Sequence, residues 1–343
     1  MFRMGRGLLG LAAAALLAAC VSAVALGASQ ATTAATLTLY SSQHEGMTNA
    51  IVKAFERESG VSVRVRFGED EGLASQIAVE GSSSPADVVL TENTPPLVLL
   101  EEKKLLAKVA PATLRKVPAQ YNSLTGGWVG VAGRATALVY NPKLVATTQL
   151  PASLLDLAKP AWKGKLAISP SEADFQPVVA AVIKLKGRAA AKAWLAGFAK
   201  NAKVYNDNEG IIEGVERGRI AAAVIDHYYW FQAENERGVG KMQSKLHYFG
   251  KRDPGALIDV SAAAALASSK NPALAQKFLA FLVSRGGQQT LTASRDWEYP
   301  LARGMAAAPR LKPFASIKPP ALRVAHLGDG SSALTLLREV GRL

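Results

Sequence analysis

Cysteine is almost absent. The single one, Cys20, lies within the first 30 of 343 residues, which excludes internal disulfides, zinc fingers and thiolate clusters. Histidine is scarce as well, and four of them leave little room for a hidden metallohydrolase. No G-x-S-x-G elbow, H-E-x-x-H pair or Walker loop occurs, so an enzyme is not expected. Acidic residues are outnumbered, 27 against 40 Lys and Arg, for a formal charge of +13, or +11 once Arg3 and Arg6 are set aside. The excess is scattered in ones and twos, as at Lys103-Lys104, Lys163 and Lys165, or Lys251-Arg252. Without a stripe to follow phosphates, nucleic acid is not an expected partner; the charge reads as a solvated basic surface.

What is present is a globular composition, 49% hydrophobic and 20% charged, on a chain about twice the length of a typical single domain. Residues 1–30 stand apart: Arg3 and Arg6 precede an apolar, alanine-rich stretch from Leu8 to Leu26, the pattern of an export signal. Cleavage is favoured over a transmembrane anchor, which usually needs bulkier residues. Cys20 follows Leu17-Ala18-Ala19, resembling the lipobox of bacterial lipoproteins, so lipid anchoring there is the alternative to cleavage near Ala25, Gly27 or Ala31. Either route takes the chain out of the cytoplasm, with a periplasmic location expected.

Beyond the signal, strand and helix patterns alternate with short connections, which makes the class α/β. Thr36 to Tyr40 alternates, Ile51, Val52 and Phe55 lie at helical spacing until Gly60, and Val61, Val63, Val65 and Phe67 alternate again. Leu73 and Ile77 mark a helix ended by Gly81, and Ala86 to Leu90 is a short apolar strand. Such a β-α-β-α-β unit implies a parallel sheet. Two short strands, through Val131 and through Tyr140, are expected next, with a domain crossing at Gly133-Arg134. A second α/β region follows, with strands at Lys165 to Ser169 and Ile220 to Asp226 and helices between them.

Open parallel sheets bind ligands beyond the carboxyl ends of their strands. There stand His44 after the first strand, Glu92 after the third, and Tyr228 and Tyr229 after the strand ending at Asp226. Each has a plainer role open to it: a surface histidine, a helix-capping carboxylate, tyrosines packing beside Trp230 and Phe231. Together, one carboxylate and two phenolates would balance Fe3+ beside a neutral imidazole, a match of hard oxygen donors to a hard cation. Free tyrosine ionises only near a pKa of about 10, so the bound ion itself must stabilise the phenolates.

At these residues the chain resembles the periplasmic ferric-ion-binding proteins, the bacterial transferrin-like receptors of iron(III) ABC importers. The likeness rests on Leu39-Tyr40-Ser41-Ser42-Gln43-His44, Gly81-Ser82-Ser83-Ser84-Pro85-Ala86-Asp87-Val88, Thr91-Glu92, Trp162-Lys163-Gly164-Lys165, Ile225-Asp226-His227-Tyr228-Tyr229-Trp230 and Arg252-Asp253-Pro254-Gly255-Ala256-Leu257, and it spans nearly all of the mature chain. It implies a type II periplasmic binding protein fold, two α/β lobes around a cleft that closes by hinge motion. The implied lobes are residues 36–134 plus 262–308 and residues 135–261 plus 309–343, with crossovers near Arg134 to Tyr140 and Ala256 to Ser261. His44, Glu92, Tyr228 and Tyr229 match the metal ligands, Fe3+ is the cargo, and an ABC permease with its ATPase is the partner of a monomeric receptor. Many relatives add a small synergistic anion; Asn93, Ser171 and Asn208 match anion-side positions, and Arg134 is the nearest positive group. Glu172 and Asp174 in that loop would repel phosphate, so carbonate is favoured over phosphate, with water or an extra carboxylate also open. The competing reading is a receptor of the same architecture for an organic or anionic solute, such as an organophosphate, a polyamine or thiamine, with the tyrosines stacking on it.

Overall fold

Apolar alternation sets the first elements. A computed structural model describes residues 36–343; the expected export signal, with Cys20, lies outside the described residues. β1 (Thr36–Ser41) runs into α1 (Glu45–Ser59), which ends where Gly60, at φ 70°, turns left-handed and donates its N–H to the Glu56 carbonyl. α1 buries Met47, Ile51, Val52 and Phe55, and Phe55 meets Phe278 edge-on at 4.9 Å; each such side chain contributes about 1.5–3 kcal/mol by leaving water. β2 (Ser62–Phe67), α2 (Asp70–Glu80), β3 (Val88–Thr91), α3 (Pro95–Glu102) and the single turn α4 (Pro111–Leu114) follow. β1 pairs in parallel with both β2 and β3.

Beyond β4 (Val129–Tyr140) the pattern repeats with β5 (Leu166–Ile168), α5 (Phe175–Lys186), α6 (Arg188–Asn201), β6 (Ala202–Val204), α7 (Asn208–Glu216), β7 (Ala222–Asp226), α8 (His227–Arg237) and β8 (Lys245–His247). β5 pairs in parallel with β6 and β7. The chain then forms β9 (Ile258–Ala265), α9 (Pro272–Leu282), α10 (Arg285–Ala293), β10 (Tyr299–Pro300), α11 (Phe314–Ile317) and α12 (Ser331–Glu339). The strands make one mixed sheet in the order β2-β1-β3-β9-β4-β7-β5-β6, with β10 and β8 also on β4. Its flanks are parallel, as expected, while β9 is antiparallel to β3 and β4, and β4 to β7.

The two short strands expected from Trp128 onward are one continuous, fully buried strand of 12 residues. Its glycines mark close approach rather than a break. A Cβ on Gly130 would lie 2.3 Å from the Tyr121 carbonyl oxygen, and one on Gly133 3.0 Å from the Ile258 side chain. Val129 to Ala135 pairs with β9 and Thr136 to Tyr140 with β7, so this single strand belongs to both halves of the sheet. Arg134 sits on it beside the point where the partner changes.

Candidate metal centre

The polar residues at the strand ends converge. His44 is the last residue before α1, Glu92 follows β3, and Tyr228 and Tyr229 lie in the first turn of α8 directly after β7. The Tyr228 hydroxyl donates to Glu92 Oε1 at 3.2 Å, and His44 Nε2 lies 3.6 Å from the same oxygen. The His44 and Tyr228 rings are 4.9 Å apart, and Tyr228 stacks on Tyr229 at 4.1 Å. Tyr229 donates to Asp174 Oδ2 at 2.8 Å. One imidazole, two phenols and two carboxylates thus form an unbroken chain of contacts.

Each is held from behind. Asp70, at the start of α2, accepts from the backbone N–H of Glu92 at 3.0 Å and of Asn93 at 2.9 Å and from the Ser42 hydroxyl, which fixes the loop after β3. His227 is fully buried and stacks on Tyr299, and its Nδ1 accepts the Ala135 N–H at 3.1 Å; burial lowers its pKa to about 3, so the ring is neutral and pins the start of α8 to β4. Arg134 is wholly buried. Its Nη1 lies 3.0 Å from Glu92 Oε1 and its Nε 3.3 Å from Asp226 Oδ2, and its Nη2 donates to Asp259 Oδ2 at 3.0 Å and Asn93 Oδ1 at 2.7 Å.

The centre is electrostatically unbalanced toward negative charge. Burial works against the Arg134 cation, but Glu92, Asp259, Glu298 and Asp174 outweigh it and hold its pKa well above normal. One guanidinium does not satisfy so many carboxylates. Burial, with Asp174 and Asp70 adding to it against Arg134, pushes Glu92 well above the carboxylate range, and Asp226 rises likewise; Asp259 is raised to about 6. Burial and the Asp174 charge hold both the Tyr228 and Tyr229 phenols well above their usual value. Burial lowers His44, which leaves its imidazole neutral and able to act as a ligand. The carboxyl and phenol shifts come from burial first and neighbouring negative charge second, whereas the His44 shift comes from burial against the pull of Asp296 and Asp174.

The four residues matched to an anion site behave differently from one another. Asn93 is spent between Arg134 and Asp70. Ser171 is exposed, and its hydroxyl reaches only the Asn206 carbonyl, at 3.5 Å. Asn208 donates to Asp174 Oδ2 at 3.5 Å. Arg134, expected as a compensating positive group, has its charge engaged by Glu92, Asp226 and Asp259. Asp174, whose charge is expected to repel phosphate and for which the sequence leaves the role of an extra carboxylate open, accepts from the Tyr229 hydroxyl.

A family model described as bacterial extracellular solute-binding protein matches residues 40–289. The chain belongs to that family. This solute-binding protein is 40% identical to the Fe(3+)-binding periplasmic protein of Serratia marcescens over 320 residues, covering 93% of this chain and 94% of that one, so it falls in the periplasmic ferric-iron-binding group. Among solved structures, iron-bound HitA from Pseudomonas aeruginosa is 46% identical with a TM-score of 0.84, covering 90% of this chain and 99% of that one. A Trichodesmium protein in complex with iron and citrate ligands is 28% identical, with a TM-score of 0.81 over 90% of this chain and 100% of that one. The solute-binding protein therefore has the two-lobed type II architecture expected from its sequence, and it is a transport protein rather than an enzyme.

Proposed function

We propose that this solute-binding protein is a periplasmic receptor that binds ferric iron through His44, Glu92, Tyr228 and Tyr229 and hands it to an ABC importer, its permease and ATPase. The observation that carries the reading is the meeting of an imidazole, a carboxylate and two phenols from two half-sheets at one point, in surroundings short of positive charge. Glu92 and His44 come from the half of the sheet holding β1 and β3, and the tyrosines from the half holding β7; the lobes are residues 36–134 plus 262–308 and residues 135–261 plus 309–343. The phenolates would supply hard donors, and their visible charge-transfer band with Fe3+ gives the assay its colour. Asp174, already on the Tyr229 hydroxyl, takes the place of an external anion, so neither carbonate nor phosphate is required. Tyr228 is buried and lies between His44 and Tyr229, so it offers no open face to an organic solute.

The test is titration of the mature, iron-free protein with a ferric chelate. One coloured site per chain is expected. A Tyr228→Phe plus Tyr229→Phe variant that kept full colour and affinity would sink the ligand assignment.

A further inference from the structure

His44 can ligate through Nε2 only if its proton sits on Nδ1, and two carboxylate oxygens lie near that atom: Glu298 Oε1 at 3.6 Å and Asp296 Oδ1 at 3.7 Å. His44 Nδ1 and Glu298 Oε1 are both buried without a hydrogen-bond partner. They therefore face one another as the two unmet ends of one contact, a few tenths of an ångström beyond hydrogen-bond length.

Glu298 differs from Asp296 in how it is held. Its side chain is fully buried, whereas that of Asp296 is 17% exposed. The His44 backbone N–H donates to Gln43 Oε1 at 2.7 Å, Gln43 Nε2 donates to the Ser261 hydroxyl, and that hydroxyl donates to Glu298 Oε2 at 3.2 Å. These contacts close a ring from the His44 backbone through Gln43, Ser261 and Glu298 back to the His44 imidazole, drawing together the β1–α1 junction, β9 and the segment before β10.

We propose that Glu298 is a positioning residue for His44: resting on the ferric reading of the site, it fixes the Nδ1–H tautomer and the ring orientation and so leaves the Nε2 lone pair facing Glu92 and Tyr228. The Ser261 hydroxyl already occupies Glu298 Oε2, which leaves Oε1 as the oxygen free to accept from the ring N–H, and that contact favours the Nδ1–H tautomer. Partners of this kind behind a ligating histidine typically change metal affinity by about 10–100-fold.

Two measurements on the full mature chain test this. The first is the 15N spectrum of the iron-free protein, in which His44 should be the Nδ1–H tautomer in the wild type and a tautomer mixture in Glu298→Ala. The second is Fe3+ retention against citrate. Glu298→Ala should lose about 10–100-fold, Glu298→Gln, whose amide oxygen still accepts, should lose clearly less, and Asp296→Asn should stay within about threefold of wild type. In a His44→Ala background, Glu298→Ala should cause no further loss. The proposal is overturned by an Nε2–H wild-type tautomer, by equal losses in Glu298→Ala and Asp296→Asn, or by an undiminished Glu298→Ala effect without His44. A wild type that forms no coloured ferric complex would defeat the ferric reading instead, and the nitrogen spectrum would still decide the tautomer.

Discussion

At the scale of single residues, the centre is defined by protons as much as by geometry. Both phenols are held protonated by burial and neighbouring carboxylate charge, so each must give up a proton to ligate. The sign follows: lowering the pH favours the proton-bound, iron-free form, and with two phenol protons released per ion, and a further one from Glu92, whose carboxyl is held well above its usual range, the apparent binding constant should drop by at least roughly a hundredfold per pH unit. Chelator competition between pH 7 and 5, corrected for the chelator's own protonation, measures that slope, and a flat profile would contradict phenolate ligation. Asp174 supports a second expectation. Asp174→Asn should weaken iron retention by at least about tenfold, or roughly 1.4 kcal/mol, and make it respond to added bicarbonate, whereas the wild type should respond to neither bicarbonate nor phosphate.

The strand-end rule leads from the sequence to His44, Glu92 and the tandem tyrosines, which the structure brings together, because a position at the end of a strand is local information. Asp174 and Arg134 are less legible for the opposite reason. Their meaning depends on partners far away in the chain: the Tyr229 hydroxyl for one, and Glu92, Asp226 and Asp259 for the other. A lone arginine in a sequence reads as a waiting anion site, and only the folded chain reveals that carboxylates have already claimed it. Glu298 was silent altogether, since nothing near it in sequence announces that Ser261 and His44 lie against it.

At the scale of elements, glycine carries different meanings in strands and helices. Gly130 in β4 faces the Tyr121 carbonyl oxygen, which an added Cβ would meet at 2.3 Å, whereas Gly72 in α2 has open space around it. Gly130→Ala should destabilise the protein by roughly 1–3 kcal/mol through overpacking against backbone. Gly72→Ala should stabilise it by up to about 1 kcal/mol by removing helix glycine entropy. Thermal unfolding of the iron-free forms compares the two, and a Gly130→Ala protein as stable as wild type would show that the β4 glycine is not a packing requirement. The same reasoning explains the strand that the sequence pattern divides in two: Gly133 reads as punctuation in an apolar run, and here it makes room for the Ile258 and Leu301 side chains.

At the scale of the whole molecule, proposed ligands drawn from both halves of the sheet predict closure on loading. Small-angle scattering should give a smaller radius of gyration for the ferric form than for the chelator-stripped form, and equal values would favour a preformed site. The route of that motion is set by β4. Its backbone passes from β9 to β7 without interruption, with the Ala135 N–H held by His227 Nδ1 and the Thr136 N–H by the Leu257 carbonyl at 3.0 Å. No slack loop lies there to swing like a door on a pin. Opening must be spread as twist along a bonded ribbon, which acts as a torsion spring with a restoring force and a limited throw. The amides of Ala135 and Thr136 should accordingly be among the slowest to exchange with solvent in both the loaded and the empty receptor.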